Sequence, residues 1–316
     1  MTERNYDPDL MELIPLLPDI SELSTVEKVQ EMRSQGFDFG VPPPPQRDDV
    51  VREDRAIPGP EGAPDVEVRI HRPKAGGAEP LPGVLEIHGG GFMLGDKDMM
   101  NPWSDRVAGE LGAVVVSTDY RLAPEHPFPA GLEDCYAALC WMAENADELG
   151  LDPDRIAIAG QSAGGGLAAA CALLARDRGG PKLRFQLLEI PELDDRLETP
   201  SMQQFTDTPL WNRPNAVWSW RHYLGPDHSG EVSPYAAPSR AKDLSGLPSA
   251  YVSVMEFDPL RDEGILYALG MLQAGVAVEL HAYPGTFHGS SLVPGADVSK
   301  RNAQEVMDVL QRRLGA

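Results

Sequence analysis

The chain has 316 residues, enough for one large α/β domain with an elaboration or for two modest domains, and long enough to bury a core without disulfide or metal staples. Against 27 Lys and Arg stand 49 Asp and Glu, a net charge of −22, and a field of that sign repels phosphate backbones and anionic bilayers. Nucleic acid and membrane surfaces are therefore excluded as first partners. The opening residues lack a basic stretch followed by an apolar run, and nothing later approaches the roughly eighteen apolar residues of a spanning helix, so a cytoplasmic location is expected.

Leu10, Leu13, Ile14 and Leu17 recur at helical spacing, with Pro15 and Pro18 limiting them to a short turn. Ser24-Thr25-Val26-Glu27 reads as a capping box opening a second helix. Pro42 to Pro45 form a stiff connector that neither a helix nor a central strand accepts. Beyond it, Val66, Val68 and Ile70 alternate as an edge-type strand, Gly83 to Ile87 is a short apolar run ending in three glycines, and Ala113 to Ser117 is β-branched. A helix is expected over 131–148, a strand over Arg155 to Ala159, and a helix over 163–178. Residues 192–232, rich in Pro and Trp, break the alternation as an insertion above the sheet. The strand Tyr251 to Val254, a helix near 262–274, the strand Val276 to Leu280 and a helix near 297–314 complete the chain. Strands alternating with helices in this way predict a mostly parallel sheet covered on both faces. Cys135, Cys140 and Cys171 fall in helix-like segments and read as reduced core thiols.

Gly160-Gln161-Ser162-Ala163-Gly164 sets a serine between glycines, directly after a strand and directly before a helix. Such a turn lifts a hydroxyl above the C-terminal edge of a sheet, and glycines are needed to make it without clash. A serine hydroxyl needs a base within reach and an acid to orient the base. Of seven histidines only His288, in Tyr283 to Gly289, stands in a short loop after the last strand, where a side chain reaches back over the sheet. Asp258 follows a strand between the serine and that histidine. Asp262 is the fallback acid, while Asp262 and Glu263 otherwise read as first-turn residues complementing a helix dipole. His88-Gly89-Gly90-Gly91-Phe92 places backbone N–H groups at a strand end, where they converge on a developing oxyanion. No Lys-Ser/Thr follows these glycines, which argues against a nucleotide. No His or Cys pair has metal-ligand spacing, so no metal is expected, and Asp194-Asp195 and Asp152 to Asp154 read as solvated or capping.

Together, His88 to Phe92, Asp119 to Glu125, Gly160 to Gly165, Asp258 to Glu263 and Phe287 to Gly289, in that order, resemble the bacterial hormone-sensitive-lipase-like esterases, a branch of the α/β-hydrolases. The run Pro191 to Thr199 is further similar to the bacterial heroin-esterase branch of that family. The resemblance implies an α/β-hydrolase fold with an eight-stranded sheet and a helical cap. The cap would comprise residues 1–45, with 46–316 the catalytic domain and a cap insertion near 195–230. It also implies cofactor-free hydrolysis of small to medium carboxylic esters, with Ser162 as nucleophile, His288 as base, Asp258 as orienting acid, and the N–H groups of Gly90, Gly91 and Ala163 as oxyanion hole. Gln161 departs from the family's usual Asp, which removes a charge beside the nucleophile. A non-catalytic receptor of the same fold and an amidase are the competing readings. A small-molecule ester is the expected partner, and the last strand offers an edge for a homodimer.

Overall fold

The computed structural model describes residues 4–17, 20, 23–35, 45–76, 80–293 and 295–315. The expected proline connector falls outside the described residues, apart from Pro45. In chain order the strands are β1 (Val50–Ile57), β2 (Val66–Pro73), β3 (Leu81–Ile87), β4 (Val114–Asp119), β5 (Leu151–Gln161), β6 (Phe185–Glu189), β7 (Ser249–Phe257) and β8 (Val278–Phe287). They form one sheet in the order β1-β2-β4-β3-β5-β6-β7-β8, parallel from β4 to β8 and antiparallel at the β1-β2 and β2-β4 pairings. The helices are α1 (Pro8–Met11), α2 (Val26–Gln35), α3 (Asn101–Arg106), α4 (Ala130–Glu144), α5 (Ala146–Leu149), α6 (Ala163–Arg178), α7 (Pro200–Gln204), α8 (Arg213–Leu224), α9 (Arg261–Gln273) and α10 (Asp297–Leu314).

Burial explains the order of the strands. β3 and β4 are buried on both faces and run through the middle of the sheet, whereas β1 reads VVREDRAI and leaves its charged residues largely outside. β1, not β2, is therefore the edge, and its charges were what hid it from a hydrophobic-periodicity reading. β6, only five residues, was missed for lack of length. At the opposite edge, β8 runs on to Phe287 through Pro284, where a loop was expected. Proline is admissible there because an edge strand has an unpaired side.

Two apolar layers sandwich the sheet. On one face α4, α6 and α9 contribute Leu139, Leu167, Cys171 and Tyr267 to a core with Leu85, Ile158 and Val252. On the other, Val306, Val309 and Leu310 of α10 pack with Val84, Val115, Phe185 and Tyr251. The three cysteines lie in α4 and α6, with Cys135 and Cys171 buried.

The second helix is capped one residue later than expected: the Thr25 hydroxyl accepts the N–H of Lys28 at 3.4 Å, and its carbonyl accepts that of Val29. This N-terminal part packs against the insertion. Ile20, Leu23 and Val29 share a cluster with Met202, Trp211 and Ala216, over Met93, Leu94 and Leu260. Asn215 Nδ2 donates to the Ile20 carbonyl at 2.7 Å, His222 Nε2 to that of Leu23 at 2.9 Å, and Arg33 to the Met93 and Ala123 carbonyls at 2.7 and 2.6 Å. Asp194 and Asp195, expected to be solvated or capping, are largely buried: Asp194 accepts the Arg196 N–H at 3.1 Å and pairs with the Arg196 side chain, and Asp195 pairs with Arg240.

Among the described residues no helix is long and apolar enough to cross a membrane. Leu10, fully buried among Ile190, Met255, Tyr283 and Phe287, shows that the first helix is part of the core. Leu10→Ala is expected to cost about 2–5 kcal/mol, read as a lowered thermal midpoint; an unchanged midpoint would mean that this segment is not docked in solution.

Candidate active site

β5 runs straight into α6 through Ser162, whose φ of 56° and ψ of −121° lie outside the regions a side-chain-bearing residue prefers. Close packing holds it there. A Cβ on Gly164 would stand 2.0 Å from the Ile87 carbonyl oxygen, and one on Gly160 would stand 2.2 Å from that of Gly164. The Ser162 N–H donates to the Glu189 carbonyl at 2.9 Å, and the Ser162 carbonyl accepts the N–H groups of Gly166 and Glu192 at 3.0 Å each. The backbone around the hydroxyl is thus tied to β6 and to the first turn of α6.

The ends of β7 and β8 supply the other two groups. Asp258 follows Phe257 directly, and its Oδ1 accepts the Leu260 N–H at 2.8 Å. Its Oδ2 lies 2.7 Å from His288 Nδ1, and His288 Nε2 lies 2.9 Å from Ser162 Oγ. All three side chains are buried. With Nδ1–H directed at the carboxylate, Nε2 presents its lone pair to the serine hydroxyl, an arrangement able to take the proton as the oxygen attacks.

Each rival residue is engaged elsewhere. Asp262 accepts the Ser201 N–H at 2.7 Å and pairs with Arg261, which ties α9 to α7. Glu263 lies in the first turn of α9, as expected, and is buried there: it accepts the N–H groups of Leu193 and Asp194 at 2.6 and 3.2 Å. His71 meets Asp105, and His281 lies 3.2 Å from both Glu279 and Glu305. Those last three bring ligand-type atoms within 4.8 Å of one another, across β8 and α10, a grouping invisible to local spacing because Glu305 comes from another element.

The glycine loop after β3 turns beside the serine. Gly90 and Gly91 have φ of 115° and 58°, and a Cβ on Gly91 would lie 2.5 Å from the Trp211 ring. His88 anchors the turn: its Nδ1 donates to the Gly89 carbonyl at 2.7 Å, its ring stacks on Tyr120 at 4.3 Å, and the Tyr120 hydroxyl donates to its carbonyl at 3.0 Å. Burial pushes the His88 imidazole down to about 4, so it is a neutral spacer. Ser219 of α8 donates to the Gly91 carbonyl at 3.1 Å. Among the described residues the N–H groups of Gly90, Gly91 and Ala163 have no acceptor.

A family model described as alpha/beta hydrolase fold matches residues 84–292, which span the glycine loop, the serine turn and both later site residues. The chain belongs to the α/β-hydrolase family. Within it, this hydrolase stands with the hormone-sensitive-lipase-like members that its motifs resemble. It is 45% identical over 251 residues to Carboxylesterase NlhH of Mycobacterium tuberculosis, covering 78% of this chain and 77% of that one. It is 39% identical over 295 residues to Esterase LipI of the same organism, covering 92% and 90%. Among solved structures, one titled Bacterial Heroin Esterase superimposes with a TM-score of 0.91 and 49% identity over 99% of each chain.

Local motifs gave no hint of the buried carboxyls around this hydrolase site. Gln161 Nε2 donates to Glu189 Oε2 at 3.1 Å, so where the family's usual Asp would set two carboxyls face to face, this chain has a neutral donor. Glu192 is fully buried and faces the Ser219 hydroxyl and the Asp258 carboxylate. Burial pushes Glu189 up to about 7, and Glu192 and Glu86 up to about 8. Each therefore keeps its proton in the folded chain at pH values where the unfolded chain has lost it. The stability this provides is fully present below the unfolded carboxyl pKa, near 4.5, and is lost as pH rises through those folded values. Glu192→Gln, which cannot ionise, is accordingly expected to raise the thermal midpoint at about pH 9 more than at about pH 5. An equal offset at both would show that Glu192 does not titrate in this range.

Proposed function

We propose that this carboxylic-ester hydrolase works through a Ser162 acyl-enzyme, with His288 as general base and then acid and Asp258 as the residue that orients His288. The observation carrying this reading is the continuous hydrogen-bond line from Asp258 Oδ2 through His288 to Ser162 Oγ, at 2.7 and 2.9 Å. Ser162 Oγ attacks the ester carbonyl as His288 Nε2 takes its proton. The tetrahedral oxyanion is received by the N–H groups of Gly90, Gly91 and Ala163, each such donor contributing on the order of 10² to 10³ in rate. Imidazolium returns the proton to the departing alkoxide, leaving the acyl group on Ser162. Water, deprotonated by the same nitrogen, then releases the acid. No cofactor enters these steps.

Trp211 contacts Gly91 and lies 5.9 Å, centroid to centroid, from the His288 ring. Aromatic closure of this kind supports small to medium esters as substrates, and the net charge of −22 favours those carrying a cationic amine. The segment 1–45 and the insertion near 195–230 are the cap on a catalytic domain of 46–316. A cytoplasmic location accords with the three unpaired cysteines. A homodimer through the free edge of β8 is the assembly proposed. The receptor alternative loses support from a base already in line with the nucleophile.

Ser162→Ala is expected to lower kcat on soluble aryl acetates and butyrates on the order of 10⁶-fold with the fold retained. Parent-like hydrolysis by that variant would overturn the mechanism. On the parent enzyme, a soluble butyrate should be turned over faster than an emulsified long-chain triglyceride and faster than the matched anilide; the reverse order would replace the substrate class.

A further inference from the structure

The two strands that carry Asp258 and His288 end in phenylalanines, Phe257 and Phe287, which lie opposite one another in the sheet. Each is the residue immediately before a member of the dyad. The regular β7-β8 register is interrupted just upstream: Met255 pairs with Tyr283, but Phe257 pairs with Phe287, so β8 carries two extra residues in this interval. The ladder that would ordinarily fix one strand end against the other is weakest where the acid and base emerge. Something else must hold the two ends together, since the 2.7 Å contact between Asp258 and His288 depends on both.

The N-terminal segment occupies that position. The Tyr6 ring stands edge-on to Phe257, with centroids 5.1 Å apart and planes at 77°, and edge-on to Phe287, at 5.8 Å and 89°. One side chain from the start of the chain thus touches both strand ends. The next residue, Asp7, donates its N–H to the Gly285 carbonyl at 2.8 Å, inside the irregular stretch of β8, while the Gly285 N–H donates to Glu256 Oε2 at 2.6 Å. Asp9 accepts the N–H of Asp297, the first residue of α10, at 3.0 Å. On the other side Arg4 pairs with Asp207 and lies 5.6 Å from the Phe205 ring, which is itself edge-on to Phe257 at 6.1 Å. These contacts of Arg4, Asp7 and Asp9 flank Tyr6 and hold its segment against the two strand ends.

We propose that Tyr6 is a positioning residue that clamps the ends of β7 and β8 and so holds Asp258 and His288 in hydrogen-bonding register. The proposal rests on reading those two residues as the catalytic dyad. The ring makes both contacts with the strand ends, while the hydroxyl interacts with Arg4 and not with β7 or β8, so a phenyl ring keeps the clamp. Loss of the ring lets the two strand ends shift by fractions of an ångström. Such a shift lowers the rate of acylation while leaving ester binding alone, because the groups that move act on the serine proton and not on the ground-state ester.

The test uses the full-length enzyme with Tyr6→Ala, Tyr6→Leu and Tyr6→Phe, assayed on a soluble aryl acetate with thermal melts run in parallel. Tyr6→Ala and Tyr6→Leu are expected to lower kcat about 10- to 100-fold with KM within about twofold of the parent, and Tyr6→Phe to stay within about twofold on both. Tyr6→Leu preserves apolar bulk and supplies the reading if Tyr6→Ala does not fold. Folded Ala or Leu variants with parent-like kcat, a loss confined to KM, or a Phe variant as impaired as the Ala variant would each overturn the clamp. His288→Ala is the control: activity retained there would sink the dyad reading itself, whereas an inactive His288→Ala beside a fully active Tyr6→Leu would sink the clamp alone.

Discussion

The architecture depends on a close approach of three backbones beneath one serine. β5 must stop, reverse into α6 and hold Ser162 at positive φ, all within a space where a single methyl on Gly164 would reach 2.0 Å from the Ile87 carbonyl oxygen. Strain of this kind persists only where its surroundings over-determine it. Here those surroundings are the β6 carbonyl on the Ser162 N–H, the two amides on the Ser162 carbonyl, and an α6 whose first thirteen residues are buried and whose first four are Ala-Gly-Gly-Gly. A thin helix lets β3, β5 and the turn converge, and that convergence is what brings the glycine loop beside the serine.

From that fixed point the other groups are delivered by separate elements. Asp258 and His288 arrive at the ends of β7 and β8, and parallel neighbours place both on the same edge of the sheet as the serine. The insertion reaches back through Trp211 and Ser219 to the glycine loop, and Asn215 and His222 bond it to the carbonyls of Ile20 and Leu23, between the N-terminal helices. Covering the site in this way excludes water, which strengthens the electrostatic interactions within it. It also buries carboxyls such as Glu189 and Glu192, whose charge is suppressed by the loss of solvation.

Much of the site was legible in the chain because its chemistry needs particular residue types at particular turns. A serine between glycines, an aspartate after a strand and a histidine after the last strand are local signals, and each residue lies at the end of the element that announced it. Motif order across the chain then identified the family. What could not be read was whatever depended on two distant segments meeting. β1 hid behind its own charges, Glu263 turned inward because Leu193 and Asp194 offered it amides, and Asp195 met Arg240, 45 residues away. β8 continued through a proline because its outer side has no partner to lose.

The sequence by itself therefore determined the fold class, the parallel alternation, the serine turn and the candidate serine, histidine and acids, since glycine clearance and strand-end placement are written locally. Only the tertiary structure decided which carboxylate faces His288, why Gln161 sits opposite Glu189, and how Tyr6 comes to lie against the residues preceding both members of the dyad. The physical reason is common to all three. Hydrogen bonds and ring contacts act over a few ångströms, and residues separated by tens to hundreds of positions meet at that range only once the sheet has been assembled.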